Sequence, residues 1–105
     1  MNTSSPQYFA QVSRDLEPLL ERYFSNRKKD IATIKELLES GKFEEIRNIG
    51  HTMKGTGASY GFQYITEIGK SFENAAKESD GISIEGQLYE LEQYINTVKI
   101  EFIDE

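Results

Sequence analysis

The sequence contains no cysteine and no tryptophan, and only two prolines and a single histidine. Without cysteine the chain can form neither disulfides nor thiolate metal sites, which fits a reducing compartment. It also lacks an apolar run close to the roughly 20 residues of a membrane span, and residues 1–6 lack the basic and apolar regions of a signal peptide. These absences predict a cytoplasmic protein without a membrane partner.

Basic residues are scarce as well. Twelve Lys and Arg stand against eighteen Asp and Glu, which gives a formal net charge of −6. This balance argues against a basic face that could bind a phosphate backbone, so we expect no nucleic-acid partner. With 105 residues and 37% hydrophobic content, the chain is expected to form one domain around a compact core, without a large cofactor cavity.

Helical periodicity covers most of the chain. Residues 1–13 are polar and show no helical period, so we predict an extended or frayed N-terminal arm of residues 1–13 followed by one domain of residues 14–105. Within that domain, apolar residues recur at spacings of three and four. They form four groups: Leu16, Leu20, Tyr23, Ile31, Ile34 and Leu38; Phe43, Ile46, Ile49, Met53 and Tyr60; Phe62, Ile65, Ile68, Phe72 and Ala76; and Ile84, Leu88, Leu91, Ile95, Val98 and Phe102.

Capping and turn residues separate these groups. Asp15 is the expected N-cap of the first helix, with Pro18 in its first turn, and Gly41 ends that helix. Gly61 is expected to end the second helix, and the polar turn of residues 79–81 the third. We find no strand-type alternation. Four amphipathic helices with short connections predict an all-α fold, an antiparallel up-and-down four-helix bundle.

The second helix carries the unusual chemistry. It contains Gly50, Gly55 and Gly57, and a glycine inside a helix costs about 1 kcal/mol relative to alanine, so something other than helix propensity must account for them. With an advance of about 100° per residue, the only histidine, His51, lies roughly 150° from the centre of the apolar arc and should face water. Gly50 and Gly57 point toward the core edge, where they would let a neighbouring helix pack closely.

The same helical wheel places Arg47, Lys54, Gly55 and Ala58 around His51. An exposed imidazole can act as a nucleophile at neutral pH without a separate base. The ammonium of Lys54 would partly neutralise a phosphoryl group on the ring, and Gly55 would let the active-site loops of a partner approach. Arg47 and Ala58 are candidates for contact with that partner. Because phosphoryl transfer rests on positioning and charge stabilisation, the partner can supply the metal ion.

Residues 51–62, HTMKGTGASYGF, resemble the signature of histidine-containing phosphotransfer domains, which is His-x-Leu-Lys-Gly followed by small residues and a later pair of glycine and a hydrophobic residue. The flanking segments are compatible with the helical bundle of this family, so the resemblance spans residues 15–103. Met53 replaces the usual leucine, which is a volume-conserving exchange. The resemblance implies that His51 is the phosphoacceptor and that Lys54 and Gly55 shape the acceptor site.

The resemblance also implies partners. His51 would accept a phosphoryl group from an aspartyl-phosphate receiver domain and pass it to another, so response-regulator receiver domains and a hybrid sensor histidine kinase are the expected partners. Mg²⁺ would be held by the receiver domain, and we expect no cofactor on this chain. Because the sequence has no glycine-rich nucleotide loop, we expect a transfer module rather than an enzyme with kinase activity. A bundle that completes its own core is expected to be a monomer.

The same residues also bear on alternative functions. A metal site is disfavoured because the single histidine has no second histidine or cysteine nearby, and Glu44 and Glu45 are spaced so that at most one could join it. A hydrolase would need an orienting acid and an oxyanion pocket, which an exposed helix face does not supply. A non-phosphorylated helical adaptor that binds receiver domains or other signalling proteins is the remaining alternative, although His51 together with Lys54 and Gly55 favours transfer chemistry.

Overall fold

The computed structural model describes residues 7–104. The elements in chain order are strand β1 (Phe9–Ser13), a 3-10 turn (Arg14–Leu19), helices α1 (Leu20–Glu39), α2 (Phe43–Tyr60), α3 (Gln63–Lys77) and α4 (Gly81–Thr97), and strand β2 (Lys99–Ile103). The predicted four-helix bundle is therefore confirmed. None of the helices in this part of the chain is long and apolar enough to cross a membrane.

The helix ends follow the predicted turn chemistry. Gly41 and Gly61 adopt φ angles of +67° and +86°, the left-handed region in which glycine is favoured, and they follow α1 and α2. Asp80 caps α4, because its carboxylate accepts a hydrogen bond from the backbone N–H of Ser83 at 3.1 Å. Short connections at all three turns force consecutive helices to run antiparallel.

Aromatic contacts record this antiparallel order. Tyr23 near the start of α1 stacks on Tyr60 at the end of α2, with ring centroids 4.2 Å apart. Tyr64 at the start of α3 stacks on Tyr94 near the end of α4 at 4.7 Å. Both α2 and α4 pack against α1 and α3, so they lie diagonally across the bundle. The core is built from the buried side chains Val12, Leu20, Tyr23, Ile31, Ile34, Ile46, Met53, Phe62, Ile65, Ile68, Phe72, Ala75, Ala76, Ile84, Leu88, Leu91 and Tyr94.

The first helix begins later than predicted. Asp15 is not its N-cap; instead the hydroxyl of Ser13 accepts a hydrogen bond from the backbone N–H of Asp15 at 3.3 Å, at the start of the 3-10 turn. Pro18 lies inside that turn, and regular α-helix begins only at Leu20. Because proline has no N–H to donate to an α-helical ladder, a short 3-10 segment accommodates it there.

Both ends of the described chain form strands, so the prediction that the sequence contains none is wrong. Phe9–Ser13 and Lys99–Ile103 pair in parallel, and α4 ends at Thr97 instead of continuing to Phe102. Val12 of β1 is almost completely buried and forms part of the core. Phe9–Ser13 are thus paired rather than frayed, while residues 1–6 of the predicted arm lie outside the described residues; the division at residue 14 stays a prediction.

Candidate functional site

Helix α2 presents His51 on its outer side. Ile46 and Met53 on the opposite side of the helix are buried, whereas 67% of the His51 side chain is exposed, in agreement with the helical wheel. The imidazole is therefore anchored through a packed helix and stays open to another molecule.

The helices α2 and α3 approach closely because glycines meet at their crossing. A β-carbon added at Gly50 would lie 2.7 Å from the carbonyl oxygen of Gly69, and one added at Gly69 would lie 2.7 Å from the carbonyl oxygen of Gly50. At Gly57, an added β-carbon would lie 2.7 Å from the backbone nitrogen of Thr66. These distances are too short for any side chain, so the bare backbones set the helix separation. The packing role inferred for Gly50 and Gly57 is visible here.

This close crossing brings a carboxylate from α3 to His51. One oxygen of Glu73 lies 3.1 Å from Nδ1 of His51, and the other accepts a hydrogen bond from Nζ of Lys54 at 3.0 Å. Only 13% of the Glu73 side chain is exposed. Glu73 thus bridges His51 and Lys54. The helical wheel predicted that these two residues share one face of α2, but it did not predict the bridging carboxylate.

Glu73 was not identified from the sequence. Its position beside Phe72 in the third group of apolar residues marks it as a residue next to the core, and Gly50 and Gly57 indicated that a helix packs closely there. Residue 73 faces His51 because of how α2 and α3 are aligned. This alignment cannot be deduced from the sequence of either helix alone.

The charge on Glu73 determines which nitrogen of His51 is free. The hydrogen bond from Lys54 lowers the pKa of the Glu73 carboxyl below its usual value; partial burial opposes this shift, and the contact with His51 adds to it. The pairing is therefore present at neutral pH and is lost only when the pH falls through this lowered pKa. An ionised carboxylate can only accept a hydrogen bond. Nδ1 of His51 therefore carries the ring proton and donates a hydrogen bond to Glu73. In the neutral ring, Nε2 then holds the lone pair.

The backbone of Lys54 is also held by α3. Gly69 lies directly against it, since a β-carbon at Gly69 would be 2.6 Å from the Lys54 nitrogen. One turn earlier on α3, the hydroxyl of Thr66 donates to the carbonyl oxygen of Lys54 at 3.1 Å. Gly69, which could not be singled out from the sequence, therefore positions the residue that lowers the pKa of Glu73.

The remaining candidates occupy the surroundings of this cluster. In the part of the chain that the structure describes, nothing lies within 4 Å of a β-carbon built on Gly55, and Ala58 is exposed one turn further along. Arg47 pairs with Glu44 on its own helix at 3.4 Å, so it is not part of the hydrogen-bonded cluster of His51, Lys54 and Glu73. Within residues 7–104, no group of three or more histidine, aspartate or glutamate side chains is placed to hold a metal ion.

A family model for the Hpt domain matches residues 18–101, which is most of the chain. The chain therefore belongs to the Hpt domain family, whose helical bundles take part in histidine phosphotransfer in two-component phosphorelays and do not act as kinases themselves. Comparisons with curated proteins and with solved structures gave no significant match.

Proposed function

We propose that this chain is a phosphorelay intermediate that accepts a phosphoryl group on Nε2 of His51 from an aspartyl-phosphate receiver domain and passes it to another receiver domain. The observation that carries the proposal is the bridge formed by Glu73. A carboxylate oxygen of Glu73 lies 3.1 Å from Nδ1 of His51 and holds the ring proton on that nitrogen. Nε2 on the exposed side chain is left as the nucleophile.

The proposed step balances without any further reactant. The lone pair on Nε2 of His51 attacks phosphorus, the N–P bond forms, and the P–O bond to the receiver's aspartate breaks with that carboxylate as leaving group. The phosphorylated ring keeps its Nδ1 proton and is cationic, so the Glu73 carboxylate stabilises it. Passing the group onward is the same step in reverse on a second receiver, which returns the neutral imidazole.

The neighbours of His51 have separate proposed roles. Lys54 lowers the pKa of Glu73 through its hydrogen bond and adds positive charge near the incoming phosphoryl group. Gly55 leaves space for the loops of the receiver, which would carry the Mg²⁺, and Ala58 and Arg47 flank the contact area. We expect the protein to act as a monomer, with response-regulator receiver domains and a hybrid sensor histidine kinase as partners.

The direct test is to mix the purified protein with a phosphorylated receiver domain and Mg²⁺ and to measure an acid-labile, base-stable phosphate on the chain. We expect labelling of the wild type and none of the His51→Gln variant. Labelling retained in that variant would refute the site assignment. A wild-type chain that binds the phosphorylated receiver and acquires no label would instead be a non-phosphorylated adaptor.

The role of Gly55 is tested by the same assay. The variant Gly55→Glu should stay folded by circular dichroism, because nothing surrounds that position, and should slow transfer by about tenfold or more. Thr33→Glu, at an exposed position inside α1, is the matched control and should transfer at the wild-type rate. Equal rates for the Gly55→Glu variant and the wild type would remove the steric argument.

A further inference from the structure

Gly86 has no structural reason to be a glycine. It lies inside α4, where glycine is less favourable than alanine. Its φ angle is not positive, and no atom of residues 7–104 lies within 4 Å of a β-carbon built on it. Gly61, by contrast, has a left-handed backbone, and Gly50 packs closely against α3. Within residues 7–104, neither the backbone conformation nor the packing requires a glycine at residue 86.

Two large apolar side chains flank this bare position. Ile82 is 84% exposed and Tyr89 is 64% exposed, and they precede and follow Gly86 by four and three residues. Residues at these spacings lie on the same face of a helix. Together Ile82, Gly86 and Tyr89 form an apolar stripe along the outer side of α4, which we call the α4 stripe. An apolar, glycine-centred stripe is suited to the close approach of another helix.

Carboxylates border the α4 stripe on both sides. Toward α1, a groove of about 460 Å³ is lined by Glu39, Glu85 and Glu92, with Lys35 as its one cationic residue. Toward α3, a groove of about 350 Å³ is lined by Glu67 and Glu90 and has no cationic residue in its lining. Among residues 7–104, no lysine or arginine forms an ion pair with any of these five carboxylates.

We propose that the α4 stripe is a docking surface for an amphipathic helix of a partner protein that carries lysine or arginine on both flanks of a small, apolar face. The charge pattern selects this occupant. A second copy of this chain would set acidic borders against acidic borders, and an anionic membrane surface would be repelled by the same carboxylates. A basic helix neutralises both borders while its apolar face covers Ile82 and Tyr89 and approaches Gly86.

This surface is separate from the one at His51. The helices α2 and α4 lie diagonally across the bundle, each packed against α1 and α3, so their outer faces point to different sides. A receiver domain at His51 and a basic helix at the α4 stripe can therefore be bound at the same time. The second contact would hold the module on a partner while the phosphoryl group is exchanged on the opposite side.

The test uses a synthetic amphipathic helical peptide of lysine, leucine and alanine, and a matched peptide with glutamate in place of lysine. Backbone amide NMR of the whole chain should show saturable shift changes centred on residues 82–92 with the lysine peptide and none with the glutamate peptide. Transfer to His51 should stay at the wild-type rate when the lysine peptide is saturating. Shift changes centred on His51, or spread evenly over all acidic surfaces, would overturn the proposal.

Variants separate docking from general charge attraction. Gly86→Gln adds a neutral side chain in open space, so the fold is kept, and it should weaken binding of the lysine peptide about tenfold or more. Thr33→Gln is the control on α1 and should bind as the wild type does. Unchanged affinity of the Gly86→Gln variant would contradict the proposal. So would sedimentation analysis that finds a dimer of the wild type dissociated by Tyr89→Ser, since a second copy would then be the occupant.

Discussion

Glycines do opposite things at the α2–α3 crossing and on the outer faces of the bundle. At the crossing, Gly50 and Gly69 each touch the other's backbone, so that a β-carbon on either would overlap with its neighbour. On the outer faces, no described residue comes within 4 Å of such an atom on Gly55 or Gly86. The first pair sets how closely two helices of this chain approach, and the second pair leaves room for other molecules.

The close crossing of α2 and α3 determines how the site is built. Because α2 and α3 touch through their backbones, a short carboxylate side chain on α3 can reach the histidine on α2, and Glu73 lies 3.1 Å from His51. A wider crossing would leave Glu73 too far away to hold the ring proton. The packed glycines therefore place Glu73 beside the exposed His51, whereas of the two open glycines only Gly55 lies on the same helix as that histidine.

A side chain added at the crossing should separate the two kinds of glycine most strongly. The variant Gly69→Leu should lower the free energy of unfolding by about 3 kcal/mol, because the added atoms force α2 and α3 apart. Urea denaturation followed by circular dichroism measures this change. Gly55→Leu is the matched control, since it adds the same side chain in open space and, as leucine favours the helix more than glycine does, should unfold at or somewhat above the wild-type midpoint. Similar midpoints for the two variants would show that the crossing is not close-packed.

A second variant keeps the crossing and removes only the carboxylate. In Glu73→Ala, we expect the proton of the His51 ring to move partly from Nδ1 to Nε2, which removes the lone pair from the nucleophilic nitrogen. Transfer should slow by about tenfold, as expected when a ring-orienting partner is lost. Since the chain has one histidine, the nitrogen chemical shifts of the imidazole report the tautomer without overlap. An unchanged tautomer in this variant would remove Glu73 from the proposed mechanism.

The helices and the exposed histidine could be predicted from the sequence because both depend on local periodicity. The spacing of Ile46 and Met53 defines the buried side of α2, and His51 follows from it by geometry alone. Gly41 and Gly61 were predicted as helix ends because their chemistry acts within one turn. Glu73 and Gly69 could not be assigned to the site, since their place depends on how two helices are aligned in three dimensions.

The strands were missed for a related reason. Val98 and Phe102 continue the spacing of three and four residues from α4, but Val98, Ile100 and Phe102 also alternate with Lys99 and Glu101, which is a strand period. Two patterns fit the same residues. The parallel partner, Phe9–Ser13, lies at the other end of the chain, so no local signal decided between helix and strand.

A weaker effect is expected at Gly86, on the outer face of α4. Gly86→Ala should raise the free energy of unfolding by about 1 kcal/mol, because alanine favours the helix and its β-carbon meets nothing. Chemical denaturation of this variant beside Gly50→Ala measures both kinds of glycine with one substitution, and Gly50→Ala should be destabilised instead. If Gly86→Ala were destabilised as well, the outer face of α4 would be packed within the folded chain, and residue 86 could no longer be counted as space kept open for a partner.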